Sequence, residues 1–217
     1  MDASVTSLVP LMAISVALGL ITFAIIASTA FVKLAVVLFL VRNALGIQQT
    51  PPNMVLYTIA ITLTIYIGVP MATDVFELLD QPGMRYDSIS AIMEAASIAS
   101  EPVRDFMGRF AREDERAFFA GATAELWDED LEEFARGDSF AVLAPSFLIS
   151  ELRRAFEIGF LIYLPFVVID LVVTTILMAM GMMMVSPTII STPFKLLLFV
   201  AVDGWSRLVH GLVMSYV

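Results

Sequence analysis

Cysteine is absent from the 217 residues of this chain, and histidine occurs only once. Without cysteine, the chain can form no disulfide bond, no thiol nucleophile and no cysteine-ligated metal site. The sequence also contains no glycine-rich phosphate-binding loop and no pair of carboxylates placed in an evident pocket. We therefore predict a protein that is not an enzyme and that needs no cofactor.

Charged residues are scarce as well, at 16% of the chain, whereas hydrophobic residues make up 59%. The mean hydropathy is +0.88. A soluble domain of this length could not bury so much apolar surface, so a membrane or an apolar assembly must cover the rest. We expect a membrane-associated protein, and nucleic acid is not among the partners that we expect.

The acidic residues are concentrated in one region. Residues 74–157 contain 19 acidic and 8 basic side chains, a net charge of −11, and the rest of the chain carries +1. The runs 113–115 and 128–130 each place three acids in succession, but such acids point in different directions on a helix and lack the spacing of a calcium-binding loop. We predict no metal site there, and we favour a solvated face over an acidic docking site.

The first apolar segment, Leu11–Phe31, carries no charge and is long enough to cross a bilayer. It lacks the basic start of a signal peptide, so we expect it to be retained. Its helix is expected to run on through the apolar stretch between Lys33 and Arg42. A turn over Gly46–Asn53, which contains two prolines, leads into the second segment, Met54–Thr73. These two segments are predicted to form a helical hairpin.

A second hairpin is predicted towards the end of the chain. A helix beginning at Ser146 leads into the apolar stretch Ile158–Val185, and Gly181–Pro187 forms the turn before the last segment, Thr188–Val217. The sequence therefore predicts an all-α fold with three regions: an N-terminal apolar hairpin at 1–73, an acidic helical region at 74–144 and a C-terminal apolar hairpin at 145–217.

Basic residues indicate how the hairpins are oriented. Lys33 and Arg42 flank the first connection, Lys195 lies near the second, and neither connection contains an acid. Short loops rich in lysine and arginine favour the cytoplasmic side of a membrane. We expect the acidic region, and both termini if all four segments span, to lie on the outer side.

Asp170 lies within an apolar helix, where an ionisable residue is costly and usually faces a partner or water. We favour a buried interface residue, hydrogen-bonded to a neighbouring helix. The alternative is a proton-carrying carboxylate in an ion-coupled carrier, but the apolar neighbours of Asp170 offer no second polar step for a proton relay.

Methionine is concentrated at the turn of the second hairpin, at positions 178, 180, 182, 183 and 184. Met182, Met183 and Met184 follow one another and cannot all face one core, because successive residues project in different directions. Methionine is flexible and adapts its shape. We predict that a ring of such turns, one from each subunit, forms a deformable apolar seal.

Two parts of the sequence resemble the SctR/FliP family, whose members belong to the export gate of bacterial type III secretion systems. The first part comprises Phe31–Leu38 and Arg42–Asn53. The second and stronger part comprises Pro145–Leu152, Ala155–Phe160, Leu164–Leu171, Met180–Pro187, Pro193–Val200 and Asp203–Trp205. The acidic stretch 80–139 lies outside the resemblance.

The resemblance implies a pentamer that joins SctS-type and SctT-type partners and passes unfolded secreted proteins across the bacterial inner membrane. It implies that Met182, Met183 and Met184 form the gasket of the resting channel. It also implies an ion pair between Glu151 and Lys195 of adjacent subunits, with Asp170 among the buried charges. The assembly is expected to be raised towards the periplasmic side, its apolar hairpins packed on one another.

Val185–Pro187 and Gly204–Ser206 look closer to the injectisome branch, SctR, than to the flagellar branch, FliP. We therefore favour an injectisome subunit, with a flagellar export-gate subunit as the alternative. Two alternative hypotheses propose other classes of function. One is an ion-coupled carrier that uses Asp170, and the other is an outward-facing adhesive or receptor protein that uses residues 74–157. A gate should assemble as a ring, whereas a carrier should work as a small unit.

Overall fold

The computed structural model describes residues 12, 15, 16, 19, 22–47, 49–82, 87–128 and 136–217, and every regular element in these residues is an α-helix. The all-α prediction is therefore confirmed. Most of the predicted segment before Thr22 lies outside the described residues. The helices are α1 Thr22–Ser28, α2 Phe31–Ala44, α3 Asn53–Leu79, α4 Ile89–Ala99, α5 Glu101–Phe110, α6 Glu113–Leu126, α7 Phe140–Ala179, α8 Pro187–Ala201 and α9 Gly204–Met214.

The chain forms two compact units. Unit 1 comprises Met1–Ala30 and Pro70–Ser150, and unit 2 comprises Phe31–Val69 and Glu151–Val217. The long helices α3 and α7 each contribute residues to both units. The division of the chain into an N-terminal hairpin at 1–73, an acidic region at 74–144 and a C-terminal hairpin at 145–217 remains a prediction.

In unit 1, α5 packs its apolar face against the first part of α7. Met107, Leu143 and Phe147 are fully buried together. The rings of Phe106 and Phe110, one helical turn apart, lie 5.1 Å from one another, and the Phe106 ring lies 5.8 Å from that of Phe147. The start of α5 is set by a proline in its first turn, where the missing N–H is not needed.

In unit 2, α2 approaches α7 closely at Gly159. A Cβ atom added at Gly159 would lie only 2.3 Å from Leu40 Cδ1, so a larger residue there would have to displace the Leu40 side chain. On α8 the Phe199 ring packs against Phe166 of α7 and Trp205 of α9, at centroid distances of 6.3 and 5.3 Å. These contacts bring α2, α7, α8 and α9 into one unit.

Three expectations about helix boundaries are wrong. The first helix does not run straight on, because α1 and α2 are bent by 75° at a short break. The last segment is also two helices, α8 and α9, bent by 61° at Asp203, which adopts a left-handed backbone conformation with φ of 53°. The long helix α7 begins at Phe140, six residues before Ser146, because Ser139 caps it by accepting a hydrogen bond from the Val142 N–H at 3.4 Å.

Two helices within the described residues, α3 and α7, are long and apolar enough to cross a membrane. The number rises to four if α1 with α2, and α8 with α9, are each counted as one bent span. Length and composition therefore agree with the prediction of a membrane-associated protein.

Candidate functional site

The functional candidates lie in unit 2, in two charged clusters and in the methionine turn between α7 and α8. The first cluster surrounds Glu151 on α7. Lys33 Nζ on α2 lies 3.2 Å from Glu151 Oε2, and both side chains are buried, with 1% and 0% of their surface exposed. The contact is an ion pair rather than a directed hydrogen bond, since Lys33 Nζ meets no hydrogen-bond geometry with the described residues.

Further groups complete the environment of Glu151. Arg154 donates to Glu151 Oε1 at 2.9 Å, and the Tyr216 hydroxyl donates to Glu151 Oε2. The Tyr216 ring also faces Lys33, whose Nζ lies 3.4 Å from the ring centroid. Burial raises the pKa of the Tyr216 phenol above its ordinary value of 10, and the Glu151 charge adds to this effect. Tyr216 therefore stays protonated and acts as a donor.

The second cluster joins α7 to α8. Lys195 Nζ lies 2.6 Å from Asp170 Oδ2, and the Ser191 hydroxyl donates to Asp170 Oδ1 at 2.6 Å. The Lys195 side chain is 5% exposed, whereas that of Asp170 is 41% exposed. Both oxygens of the Asp170 carboxylate thus have donors on α8, and the spacing of Ser191 and Lys195 places them one helical turn apart on one face.

Lys195 also connects this cluster to the first hairpin. Its ammonium donates to the Ala44 carbonyl at 3.2 Å, at the end of α2, where helix carbonyls lack partners and favour a cation. Next to it, Gly46 has a φ of +76° and lies so close to Thr192 that a Cβ there would be 3.0 Å from the Thr192 hydroxyl oxygen. The turn after α2 is therefore fixed against α8.

The methionine turn begins with an ordered helix end. Gly181 has a φ of +74°, its N–H bonds to the Met178 carbonyl at 3.0 Å, and the Met182 N–H bonds to the Leu177 carbonyl at 2.9 Å. These two bonds around a left-handed glycine are the Schellman motif, which ends α7. Pro187 then starts α8. The predicted turn Gly181–Pro187 is confirmed.

The three successive methionines are exposed in the chain. Met182, Met183 and Met184 show 40%, 83% and 101% of their reference surface. Beside the turn, an apolar groove of about 540 Å³ lies between α7 and α8, and it is lined by Val168, Val172, Ile176, Met180, Ile190 and Phe194. The tip and flank of this hairpin therefore present apolar surface that the described residues do not cover.

The structure brings Asp170 and Lys195 together, and it gives Glu151 and Lys195 separate partners within the chain. The ion pair between Glu151 and Lys195 of adjacent subunits stays a prediction. Sequence reasoning missed Lys33 and Tyr216 as partners of Glu151. The sequence did contain a signal for Lys33. A lysine in an apolar helix needs a counter-ion as much as an aspartate does.

No group of three or more His, Cys, Asp or Glu side chains within the described residues comes close enough to hold a metal ion. The features of unit 2 are instead internal ion pairs and uncovered apolar surface. An all-helical chain with membrane-length helices and such surface belongs to the class of membrane-associated proteins that pack against other subunits or lipid.

Comparison with known proteins gives the family. The sequence model of the FliP family matches residues 14–212. The chain is 56% identical over 210 residues to the probable translocation protein y4yL of Sinorhizobium fredii, which covers 97% of this chain and 95% of that protein. It is 50% identical over 189 residues to the Yop proteins translocation protein R of Yersinia pestis, with 87% of each chain covered.

A third relative is the hypersensitivity response secretion protein HrcR of Ralstonia nicotianae, at 41% identity over 211 residues, which covers 95% of this chain and 96% of that protein. This chain belongs to the FliP family. The resemblance that the sequence motifs indicated is thereby confirmed.

Proposed function

We propose that this chain is a pore-forming subunit of a type III secretion export gate, through which unfolded proteins cross the bacterial inner membrane. Membership of the FliP family supports the export apparatus as the setting. The relatives are named for translocation and secretion, which supports the injectisome branch over the flagellar one. The protein has a structural role, and its partners supply the energy.

The observation that carries the pore proposal is the exposed methionine turn. Met183 and Met184 stand at the tip of a hairpin whose start is fixed by the Schellman motif at Gly181. A fixed base with flexible thioether side chains at its end suits a seal that closes around an irregular opening. In the proposed ring, each subunit contributes Met182, Met183 and Met184 to the gasket.

Uncovered apolar surface supports the assembly that the family resemblance implies. The groove between α7 and α8 and a second groove of about 530 Å³ near Phe166 and Phe199 lie on unit 2, and surface of this kind marks interaction sites. We propose that neighbouring copies and SctS-type and SctT-type subunits cover it, in a pentameric ring raised towards the periplasmic side. The positive-inside argument supports an acidic region that faces outward.

The internal ion pairs also suit a structural subunit better than a carrier. Both carboxylate oxygens of Asp170 are already bonded, by Lys195 and by Ser191. A proton-carrying carboxylate would have to release Lys195 at each cycle. We therefore assign Asp170 to holding α7 and α8 together. The proposed pair between Glu151 and Lys195 of adjacent subunits requires both side chains to exchange their partners within the chain on assembly.

Ion leakage tests the gasket. Replacing Met182, Met183 and Met184 together with alanine shortens each side chain, so the assembled apparatus is expected to leak ions several-fold faster at rest. Met93→Ala is the control, because Met93 is also exposed but lies on α4 of unit 1. Unchanged leakage in the triple variant, with normal assembly, would overturn the gasket.

A further inference from the structure

Methionine is the only sulfur-containing residue type in this chain. The sequence has no cysteine and 13 methionines, five of which lie within residues 178–184. A chain without thiols can respond to an oxidant reversibly only through its thioethers, which form sulfoxides that reductases restore. Five of these thioethers are concentrated near one turn, which makes that turn a candidate site of oxidation.

Accessibility separates the turn from the core. In the single chain, Met183 and Met184 are 83% and 101% exposed, whereas Met107, in the core of unit 1, is fully buried. Small oxidants reach exposed thioethers first. The exposed residues Met54 and Met93 provide an internal comparison, because they are 80% and 68% exposed and belong to α3 and α4 rather than to the methionine turn.

We propose that Met182, Met183 and Met184 form a reversible oxidation site, and that oxidation there opens the resting seal. This inference rests on the proposed gasket function. The co-reactant is a small peroxide such as hydrogen peroxide. The thioether sulfur attacks one peroxide oxygen, a sulfur–oxygen bond forms and the oxygen–oxygen bond breaks. The proton on the attacked oxygen passes to the departing hydroxide, which leaves as water. The sulfur is thereby oxidised by two electrons to the sulfoxide, and the hydrogen peroxide is reduced.

The consequence follows from the polarity of the product. A sulfoxide carries a strong dipole and accepts hydrogen bonds, whereas a thioether is apolar. A polar group in an apolar constriction must be hydrated, because burying it without a hydrogen bond is costly. Water therefore enters the ring of methionine turns after oxidation. Methionine sulfoxide reductases reverse the change, which makes the site a switch.

The test uses the complete export apparatus in bacterial membranes, with hydrogen peroxide as the probe. Peptide mass spectrometry measures the gain of one oxygen at residues 182–184, with Met54 and Met93 as exposed references and Met107 as the buried one. Ion leakage is recorded before and after peroxide for the wild type and for the variant with Met182→Leu, Met183→Leu and Met184→Leu. Each leakage is expressed relative to the same untreated sample.

We expect oxygen to be added at residues 182–184 at least as readily as at Met54, with a several-fold rise in wild-type leakage that reductase treatment reverses. The leucine variant should show no peroxide-dependent rise, because leucine cannot be oxidised and any lipid damage would affect both samples.

Oxidation without increased leakage, or no oxidation at these residues, would overturn the inference. If the alanine variant leaks but peroxide has no effect, the gasket stands and only the switch fails. If the alanine variant does not leak, the gasket itself fails.

Discussion

Charged groups are used differently in the two units. Unit 1 contains most of the acidic residues, and its described pair of Arg112 with Asp114 is open to water. Unit 2 contains few charges, but it buries Lys33 against Glu151 and Lys195 beside Asp170. Exposed pairs contribute little to stability, whereas removing one partner of a buried pair leaves a charge without compensation. Substituting a buried charged residue of unit 2 should therefore reduce stability the most.

The largest effect is expected from Glu151→Leu. The substitution leaves the buried Lys33 ammonium without its carboxylate and the Tyr216 hydroxyl without its acceptor, so we expect a loss of about 3–5 kcal/mol in the free energy of unfolding. Glu157→Gln is the control, because its pair with Arg153 is exposed and its loss should cost about 0.5 kcal/mol. Thermal unfolding of the detergent-extracted protein measures both. Equal effects would remove the distinction between buried and exposed ion pairs.

A smaller effect is expected from Lys195→Met. This variant removes the bonds to Asp170 and to the Ala44 carbonyl, but Asp170 is partly exposed and can turn to water. Hydrogen bonds that involve charged groups contribute about 1.5–3 kcal/mol, so the loss should fall in or below that range. Ser191→Ala, which keeps the ion pair, should cost less. A loss as large as that of Glu151→Leu would contradict the ranking.

The packing of the two units can be compared at a glycine in each. Gly159→Ala places a Cβ against Leu40 and should destabilise the protein by about 1–3 kcal/mol through overpacking. Gly121→Ala on α6 meets nothing within 4 Å, so the better helix former should raise stability by about 0.5–1 kcal/mol. Opposite shifts of the unfolding midpoint are expected. A shift in the same direction would show that the α2–α7 contact is not tight.

The smallest effect concerns an exposed pair in unit 1. The hydrogen bond from Arg112 holds the pKa of the Asp114 carboxyl below its ordinary value of 3.8. A carboxyl group whose pKa is lowered in the folded protein adds stability at pH values above its ordinary pKa. This contribution is lost as the pH falls through the lowered pKa. In Arg112→Gln, titration followed by NMR should show the Asp114 pKa rising towards 3.8. Because Asp114 is exposed, stability at neutral pH should hardly change.

The sequence predicted the helical class from the length of its apolar segments. It predicted the two turns and the methionine tip because Gly46, Gly181 and Pro187 set the backbone locally. It missed the break at Asp203, where a non-glycine residue in the left-handed conformation starts a new helix. It also missed the start of α7 at Phe140, since the Ser139 cap and the buried side chains of Val142 and Leu143 together favour a helix that includes Pro145.

The partners of Glu151 could not be predicted from local patterns. Lys33 and Tyr216 are separated from Glu151 by 118 and 65 positions in the sequence, and only tertiary packing brings them together. The clusters in unit 2 therefore depend on the arrangement of α2, α7 and the residues after α9. Hydropathy also could not decide whether lipid or other subunits cover the apolar grooves, because both media are apolar.

The central claim is that this chain builds a ring around a channel. Native mass spectrometry of the complex extracted in mild detergent tests it most directly, because the method counts copies of the chain. The account predicts several copies, five by the family resemblance, together with SctS-type and SctT-type subunits. A monomer or a simple dimer as the only form would contradict it.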